Sequence, residues 1–466
     1  MDILKKIKRV AIENEIEVYI VGGYIRDKLM PSKEIPLDLD LVCKGDITKI
    51  VLCLNECGFN SFFLKEELNM YRFTKGATTV DLCSLKGKTI EDDLKERDFT
   101  LNAVALDLVR NKIIDPFRGR EHIKARVITE VTKDSIKNDR VRILRGVRFI
   151  IKYGMHFSKD TEIEVTRESI YINKCTRERV FHEIMKIINL DKNAVAFDVM
   201  DSYSILSNLI PYIEENKKIG KCKYHLEDAF THMNMVYKIF KEIVLGKISI
   251  NGFDFKILNN KIGDYSIKDY LAFAAFNHDI GKSLSYRKNG GKVSFKNHEV
   301  IGAKLIEEFC DYLKFPKAAT RIVKDTVDGH MRPLKLFKEK SRKNYFDFFK
   351  TYEDRVPYIL LISFCDVYAT HSIYDPNNQM EVYNKFIEEL VLEFQIYKDI
   401  IKSKMISGKD IKENFRIKPL YIGEALEYIH ERMYIGEIKD KNQAMKKLSK
   451  WCIINEKLIK DLGEYK

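Results

Sequence analysis

The sequence predicts an α+β protein in which a small mixed sheet with helices is followed by a long all-α region. Strand signals are concentrated before about residue 130. After that point the apolar residues recur at intervals of three and four, the spacing of one helix face. With 466 residues the chain is long enough for two to four domains.

The composition is that of a folded, water-soluble protein, with 45% apolar and 32% charged residues. The formal net charge of +12 fits a polyanionic partner, although many proteins without such a partner share it. The nine cysteines form no C-x-x-C pair, which argues against a zinc ribbon and for a reducing compartment. No signal-peptide pattern and no apolar run of about 18 residues is present, so we expect a cytoplasmic protein without a membrane partner.

The first elements of the chain bring two carboxylates to one strand face. The segment MDILKKIKRVAIENE predicts an amphipathic helix, and residues 18–21 predict a strand that ends in a Gly22-Gly23 turn. A second strand, LDLDLV, follows at residues 37–42. Because side chains two apart share a strand face, Asp38 and Asp40 point one way. The alternating leucines, Leu37, Leu39 and Leu41, then enter a core.

Paired carboxylates of this kind suit Mg2+, which prefers hard oxygen ligands. Two such ions activate an attacking 3′-hydroxyl and stabilise a pyrophosphate leaving group. Asp81, in the predicted strand at 77–85, is a candidate third ligand. The Gly-Gly turn lets backbone N–H groups approach a triphosphate that Arg26 can clamp. An isolated D-x-D is more often an exposed strand face, but the preceding G-G-x-x-R-D favours the metal site.

Further motifs follow in a fixed order: DDLKERDFTLNAVALD at 92–107, DPFRG at 115–119, NDRVRILRGVRF at 138–149 and TRERVFHEIMKII at 176–188. The set resembles the class II tRNA nucleotidyltransferase (CCA-adding enzyme) and bacterial poly(A) polymerase family over roughly residues 10–190. The resemblance implies a polymerase-β-like nucleotidyltransferase head and makes Asp38 and Asp40 its metal ligands. It also implies that nucleotide phosphate and ribose are bound by Gly22, Gly23, Arg26, Asp27, Arg97, Asp98 and Asn102.

Asp139 and Arg142 are three residues apart, so we expect them to share one helix face. An Asp accepts the amino hydrogen of cytosine or adenine while an Arg donates to the adjacent ring nitrogen, whereas guanine and uracil present the opposite order. The resemblance implies that this pair selects CTP and ATP without a nucleic-acid template. The alternative is a surface ion pair. Arg145 and Arg148 extend Arg142 into a basic stripe for triphosphate or tRNA.

The sequence departs from the family pattern at several points. Asn138 stands where Glu is usual, Glu96 where Arg is usual, and His122 near the place of an Asp. Only about ten residues separate the Asp81 strand from DDL, where the family commonly carries a longer flexible loop. In the family a shortened loop accompanies the addition of C residues alone, so a CC-adding enzyme is the nearest alternative.

A second constellation consists of imidazoles and carboxylates in the order H…HD…H…H…D. Such mixed ligands suit transition metals, among them Mn2+, Ni2+, Fe2+ and zinc. The order resembles the HD phosphohydrolase superfamily over about residues 222–372. That resemblance implies two metal ions, with Lys282 binding phosphate; the alternative is an inactive, RNA-binding remnant. The residues implied as ligands are His232, His278, Asp279 and Asp366 for one ion, and His298 and His330 for the second.

These observations predict four domains: a head at 1–128, a helical neck at 129–215, an HD domain at 216–375 and a helical tail at 376–466. Residues 406–448 resemble the tRNA-contacting tail of bacterial tRNA nucleotidyltransferases. The predicted function is template-independent addition of CMP and AMP to the tRNA 3′ end from CTP and ATP, with a phosphohydrolase activity in the HD domain. CC-only addition and poly(A) synthesis are the alternatives, and the oligomeric state is left open.

Overall fold

The structure, a computed structural model, describes residues 2–30, 38–65, 69–219, 227–290, 292–373, 375, 377–415 and 417–454. The chain divides into two compact units, residues 1–191 with 195–211 and residues 192–194 with 212–466. The finer division into four domains, with boundaries at 128/129, 215/216 and 375/376, stays a prediction. No helix among the described residues is long and apolar enough to cross a membrane.

The first unit is built on a seven-stranded sheet in the order β3-β4-β5-β2-β1-β6-β7. Strands β2 and β5 are parallel, and every other neighbouring pair is antiparallel. The strands are β1 (Glu17–Val21), β2 (Asp38–Lys44), β3 (Asn60–Lys65), β4 (Met70–Lys75), β5 (Thr78–Ser84), β6 (Ala105–Asp107) and β7 (Lys112–Ile114).

Helices cover the sheet and continue beyond it as the neck. In the first unit they are α1 (Asp2–Glu13), α2 (Gly23–Leu29), α3 (Ile47–Glu56), α4 (Ile90–Lys95), α5 (Gly119–Ala125), α6 (Ser135–Asn138), α7 (Val141–Tyr153), α8 (Lys159–Ser169), α9 (Arg177–Leu190), α10 (Ala196–Ser202) and α11 (Leu206–Leu209). Short 3-10 helices at Thr100–Asn102 and Ile172–Lys174 join them.

The alternation along β2 separates a buried face from a functional one. Leu39 and Leu41 are buried in a core that also contains residues of α1 and α3, as the sequence predicts. Leu37 lies outside the described residues. Asp38 and Asp40 point to the opposite face, because neighbouring side chains of a strand alternate. The core under α1 and α3 thus fixes the direction of both carboxylates.

The second unit is helical, with helices α12 (Ile213–Lys218), α13 (Ala229–Val244), α14 (Ile267–Asn277), α15 (Lys282–Ser285), α16 (His298–Tyr312), α17 (Lys317–Gly329), α18 (Arg332–Lys338), α19 (Arg342–Tyr352), α20 (Val356–Ile373), α21 (Gln379–Lys402), α22 (Gly408–Asn414), α23 (Ile422–Tyr434) and α24 (Lys441–Ile454). Helices α22, α23 and α24 share a small core that includes Ile411, Ile429 and Leu448, and Leu426 packs against it. The end of the lysine-rich segment after Ile454 lies outside the described residues.

The helical part of the chain also contains small strand pairs, which the sequence did not predict. In the first unit, β8 (Val127–Ile128) pairs with β9 (His156–Phe157). In the second unit, β10 (Lys261–Ile262) pairs with β11 (Tyr265–Ser266), and β12 (Tyr286–Asn289) with β13 (Lys292–Phe295). Strands of two to four residues are too short for an alternating pattern to identify them. The predicted turn at Asn289-Gly290 joins β12 to β13, and Gly291 lies outside the described residues.

Candidate active site

The carboxylates of β2 lie beside Asp81 of β5. In the register of the two parallel strands, Asp40 is opposite Asp81 and Asp38 is opposite Thr79. Asp38 is exposed and Asp40 is half-buried. Burial, together with the negative charges of Asp81 and Asp38, raises the pKa of Asp40, although the Arg97 guanidinium acts in the opposite direction. Oxygen donors of this kind fit Mg2+.

Asp81, the expected third metal ligand, is paired with Arg72 of β4, and its assignment to metal stays a prediction. Both of its oxygens accept hydrogen bonds from Arg72 of β4, from Nε at 2.8 Å and from Nη2 at 2.7 Å. Ligand atoms of three or more acidic, His or Cys residues that converge within 4.8 Å are confined, among the described residues, to the second unit. The bidentate contact with Arg72 orients the carboxylate that the sequence assigns to metal.

The Gly-Gly turn after β1 lies against Asp40. Gly22 has φ of 67°, and a Cβ at this residue would lie 2.8 Å from Asp40 Oδ2 and 3.3 Å from Arg97 Nη1. The backbone N–H of Gly23 is hydrogen-bonded to Asp40. Only glycine adopts this φ without a steric penalty and also leaves room for the carboxylate. The turn thereby brings backbone N–H groups next to the strand carboxylates.

A cleft of about 370 Å³ opens beside Asp40 in the first unit. It brings together ten of the residues that the sequence assigns to nucleotide binding, with the exception of Asp27. Five arginines face three aspartates in this cleft, so the local charge favours an anion such as a triphosphate. The lining residues are Gly22, Gly23, Arg26, Asp40, Arg97, Asp98, Asn102, Asp139, Arg142, Arg145, Arg148 and Phe149.

A chain of hydrogen bonds and an ion pair orders the floor of the cleft. Arg26 Nη1 donates to Asn102 Oδ1 at 2.8 Å, and Asn102 Nδ2 donates to Asp98 Oδ1 at 2.8 Å. The other oxygen of Asp98 lies 2.8 Å from Arg145 Nη2. Burial disfavours the Asp98 carboxylate, but Arg145, Asn102 and the N–H of Phe99 hold its pKa below the usual range. The network fixes two guanidinium groups around one buried carboxylate.

Asp27 supports the cleft from outside it. Its Oδ1 accepts hydrogen bonds from Arg26 Nε at 2.8 Å and from the Tyr153 hydroxyl at 2.7 Å. The guanidinium of Arg26 also lies 5.1 Å from the ring centroids of Phe149 and Tyr153. Asp27 therefore orients Arg26, and the assignment of Asp27 to direct phosphate contact stays a prediction.

Asp139 and Arg142 do not share a continuous helix, which corrects the geometric expectation. Asp139 has an extended backbone, with φ of −151° and ψ of 93°, in the break between α6 and α7. Its carboxylate accepts from Arg179 Nη2 at 2.6 Å, whereas Arg142 Nε is 3.9 Å away. Arg142 donates instead to the carbonyls of Glu96 and Arg97, at 2.7 and 3.1 Å. The two residues still line one cleft.

Four residues that support the cleft were not predicted from the sequence. Arg179 of α9 binds Asp139, Asp93 of α4 accepts from Arg97 Nη2 at 3.0 Å, and Phe149 and Tyr153 of α7 flank Arg26. The motif at 176–188 includes Arg179, and its helix α9 packs on α7. Nothing in the local sequence specified which acidic residue each arginine would meet.

The second unit gathers all six residues of the H…HD…H…H…D pattern at one buried centre. His232 lies in α13, His278 and Asp279 follow α14, His298 begins α16, His330 follows α17, and Asp366 lies in α20. Asp279 Oδ1 lies 3.1 Å from His298 Nε2 and 3.7 Å from His330 Nε2. Asp366 Oδ1 lies 2.8 Å from His232 Nε2.

The imidazole orientations suit metal binding. Nδ1 of His278, His298 and His330 each faces the backbone carbonyl three residues earlier, at 2.9, 2.9 and 2.7 Å. A carbonyl only accepts, so Nδ1 carries the proton and the Nε2 lone pair faces the centre. Nε2 of buried His278 lies 3.1 Å from Asp279 Oδ2 and 3.8 Å from Asp366 Oδ1. Burial and the neighbouring imidazoles lower the pKa of His330 to about 4, which keeps it neutral as a ligand must be.

Two groups of ligand atoms converge within 4.8 Å at this centre, His232 with His278 and Asp366, and His278 with Asp279 and His330. The donor set therefore fits a transition metal. Lys282 Nζ lies 2.5 Å from Asp279 Oδ2, beside the same centre. His298 falls outside both groups, and its assignment to a second ion stays a prediction.

Profiles of known families match three parts of the chain. Residues 18–129 match the "Poly A polymerase head domain", residues 154–217 the "Probable RNA and SrmB- binding site of polymerase A", and residues 230–370 the "HD domain". These matches confirm the predicted head and HD domain. They also confirm the predicted α+β fold class with its helical continuation.

Individual relatives match nearly the whole chain. An A-adding tRNA nucleotidyltransferase of Deinococcus radiodurans is 24% identical, with 93% of this chain and 95% of that protein covered. A CC-adding tRNA nucleotidyltransferase of Thermus thermophilus is 23% identical, with 93% and 94% covered. A solved complex of a CCA-adding enzyme with ATP has a TM-score of 0.66 at 18% identity, over 97% of this chain and 95% of that one. The last likeness establishes the fold.

Proposed function

Because successive parts of the chain match a poly(A) polymerase head domain, an RNA-binding segment and an HD domain, we propose that it builds the 3′ CCA end of tRNA. It transfers CMP and AMP from CTP and ATP to the RNA 3′-hydroxyl without a template. The relatives from Deinococcus and Thermus, both named tRNA nucleotidyltransferases, support tRNA as the acceptor.

Asp38 and Asp40 hold the divalent metal of the head in this proposal, and Mg2+ is the ion that their oxygen donors suit. Two such ions, when bound, activate the attacking hydroxyl and stabilise the leaving oxygen. Gly22 and Gly23 bring backbone N–H groups toward the triphosphate. The arginines of the cleft, Arg26, Arg97, Arg145 and Arg148, bind its phosphates. Asp98 and Asn102 position two of these arginines and serve as the ribose-side residues.

Asp139 chooses the base. Both oxygens of its carboxylate accept from Arg179, and each keeps a lone pair that can accept from the exocyclic amino group of cytosine or adenine. Arg142 donates to the ring nitrogen beside that amino group after exchanging one of its backbone carbonyl partners. Guanine and uracil present a carbonyl where Asp139 needs a donor. The pair therefore disfavours them, because the carbonyl of the base and the carboxylate of Asp139 would face each other without a donor between them.

A single observation carries this proposal: one cleft gathers Asp40, the Gly-Gly turn, five arginines and Asp139 from distant parts of the chain. An isolated strand carboxylate pair would leave those residues scattered. The arrangement supplies an anion-binding wall, a metal-binding edge and one acceptor for base selection in the same cavity.

CC addition alone is a second candidate. Only residues 85–89 connect β5 to α4, and the family's flexible loop is commonly longer there. In the family a short loop accompanies enzymes that stop after two C residues. A poly(A) polymerase is less well supported, because the named relatives that cover most of this chain act on tRNA.

The test is an extension assay with Mg2+ and tRNA transcripts that lack CCA, supplied with labelled CTP, labelled ATP or both. The proposal predicts two C residues from CTP alone and C, C and A from the mixture. Extension that stops after CC in the mixture would support the second candidate. Long A tails from ATP alone, or no extension of any RNA, would overturn the proposal.

The HD centre is proposed to hydrolyse phosphate esters. Its six ligand-type residues suit Mn2+, Ni2+ or Fe2+ better than Mg2+. A metal ion there supplies an activated hydroxide when it is bound. Lys282, beside Asp279, then provides a cation for the phosphate of the substrate.

A further inference from the structure

An exposed row of side chains extends from the candidate metal ligands to the edge of the sheet. Phe62 of β3 is opposite Arg72 of β4, Arg72 is opposite Asp81 of β5, and Asp81 is opposite Asp40 of β2. Residues directly opposite one another share a sheet face. We call Phe62, Arg72 and Asp81 the cross-strand row. With strands about 4.8 Å apart, Phe62 lies about 14 Å from Asp40 along the sheet.

Phe62 is an exposed aromatic side chain on this functional face. It is 54% exposed, and no ring contact joins it to another described residue. Its neighbour Phe63 is 51% exposed but points to the opposite face, where it packs on Tyr71 at 4.8 Å between ring centroids. The two residues therefore have the same chemistry and exposure on different faces.

Arg72 stands between Phe62 and the carboxylates. Its Nε and Nη2 are held by Asp81, and this bidentate contact fixes the plane of the guanidinium. The contact leaves the two N–H groups of Nη1 for another acceptor, and 47% of the side chain is exposed. An exposed ring beside an oriented guanidinium is how proteins bind single-stranded nucleic acid: the base stacks on the ring and the phosphate meets the cation.

The sheet order assigns this row to the acceptor RNA. The nucleotide cleft is lined by residues of the turn after β1 and of α7, and none of the cross-strand row lines it. Strand β2 separates β1 on one side from β5, β4 and β3 on the other. Attack on a phosphate requires the nucleophile and the leaving group to lie roughly in line on opposite sides. The 3′-hydroxyl therefore approaches from the β5 side.

We propose that Phe62 and Arg72 form the binding site for the 3′-terminal nucleotide of the acceptor RNA, called the acceptor site below. The Phe62 ring stacks on the terminal base, and Arg72 Nη1 binds its phosphate. Asp81 is a positioning residue that holds Arg72 and does not ligate metal. This inference rests on the proposed function, because it supplies the acceptor site for that reaction.

The test of Phe62 compares binding of two RNAs, tRNA lacking CCA with its normal 3′ nucleotide and the same tRNA with an abasic 3′ nucleotide. Wild-type protein should bind the normal RNA about 5- to 150-fold more tightly, the range for one stacked base. In Phe62→Ala this ratio should fall to near 1. In the matched control Phe63→Ala it should stay at the wild-type value, because Phe63 lies on the other face.

The test of Arg72 compares two dissociation constants, that of tRNA lacking CCA and that of the same tRNA with a phosphorothioate or methylphosphonate at its terminal phosphate. An uncharged methylphosphonate should weaken binding about 5- to 10-fold in wild type and have no effect in Arg72→Ala. Arg72→Lys should restore part of the effect, since it keeps the charge without the bidentate fork. If the methylphosphonate weakens binding to Arg72→Ala as much as binding to wild type, Arg72 does not bind the terminal phosphate.

The role of Asp81 is tested by counting bound Mn2+ per chain by electron paramagnetic resonance. Asp81→Asn should bind as many ions as wild type, whereas Asp40→Asn should bind fewer. Ions in the HD centre contribute equally to all three proteins and cancel. A loss of ions in Asp81→Asn would overturn its positioning role.

The outcomes distinguish the acceptor-site proposal from the proposed function. If wild type extends tRNA but Phe62→Ala keeps the full binding ratio, only the acceptor-site proposal is overturned. A wild-type protein that extends no RNA overturns the proposed function, whatever the binding ratios are. Because both phenylalanines are exposed, neither substitution removes a buried core contact.

Discussion

Gly22 illustrates how a single residue limits the geometry of the head. It combines a left-handed backbone, φ of 67°, with a position where a Cβ would lie 2.8 Å from Asp40 Oδ2. Gly76, in the turn between β4 and β5, has φ of 60° but no heavy atom within 4 Å of a Cβ built on it. The two glycines share the backbone demand, and Gly22 alone has the close approach to a carboxylate.

Replacing Gly22 by Ala should therefore lower activity far more than it lowers stability. We expect Gly22→Ala and Gly76→Ala each to lose about 1 kcal/mol or more of unfolding free energy, because both force Ala into the left-handed region. Only Gly22→Ala should lower kcat for CMP addition, by about 100-fold, since the methyl group displaces Asp40. Equal losses of kcat in both variants would refute the role of the close approach.

At the same scale, the sequence identified the residues of the site better than their contacts. The alternation in LDLDLV correctly predicted that Asp38 and Asp40 oppose buried leucines, because a period of two is local information. Arg72 was missed, because its contact with Asp81 depends on the register between β4 and β5. That register places Arg72 on the functional face, where it binds the Asp81 carboxylate.

At the scale of elements, the break between α6 and α7 is another feature that the local sequence did not predict. A spacing of three predicts a shared helix face only where the helix is continuous, and Asp139 lies outside both helices. The break lets Asp139 meet Arg179 of α9 while the next turn carries Arg142 into the cleft. A pattern of apolar residues predicts the two helices, and it contains no signal for the extended residue between them.

Glu130, which follows β8, combines a backbone contact to α8 with a partly buried, titratable carboxyl group. Its N–H donates to Thr161 Oγ1 of α8 at 3.1 Å, and its Oε2 is buried without a hydrogen-bond partner among the described residues. Burial and the nearby Glu164 raise the pKa of Glu130 to about 7, against the opposing effect of Arg167. The folded protein thus binds this proton more tightly than the unfolded chain does.

The raised pKa of Glu130 makes the unfolding free energy depend on pH. A raised carboxyl pKa gives stability that is complete below the unfolded pKa, about 4.3, and that is lost as the pH rises through about 7. The side chain of Glu130→Gln stays neutral at both pH values. From pH 5 to pH 8 the unfolding free energy of this variant should therefore fall by about 1 to 2 kcal/mol less than that of wild type. The measurement is denaturant unfolding at both pH values. Glu162→Gln, an exposed change on α8, should follow wild type; the same behaviour in Glu130→Gln would contradict the pKa shift.

For the whole molecule, the order of the ligand-type residues carried more information than any local pattern. Six residues, of which the first and last, His232 and Asp366, are 134 positions apart, meet at one buried centre. Their order along the chain was enough to predict the set, whereas the pairing of each imidazole with a backbone carbonyl required the structure. The chain therefore carries two centres, one in each compact unit, with different donor chemistry.

The most direct test of the account is CMP incorporation into tRNA lacking CCA by Asp40→Asn and Asp279→Asn, each compared with wild type in Mg2+. We predict that Asp40→Asn loses at least about 1,000-fold in kcat, whereas Asp279→Asn keeps CMP incorporation and loses metal-dependent hydrolysis of a model phosphodiester. Wild-type rates of CMP incorporation by Asp40→Asn would contradict the assignment of nucleotidyl transfer to the carboxylates of β2.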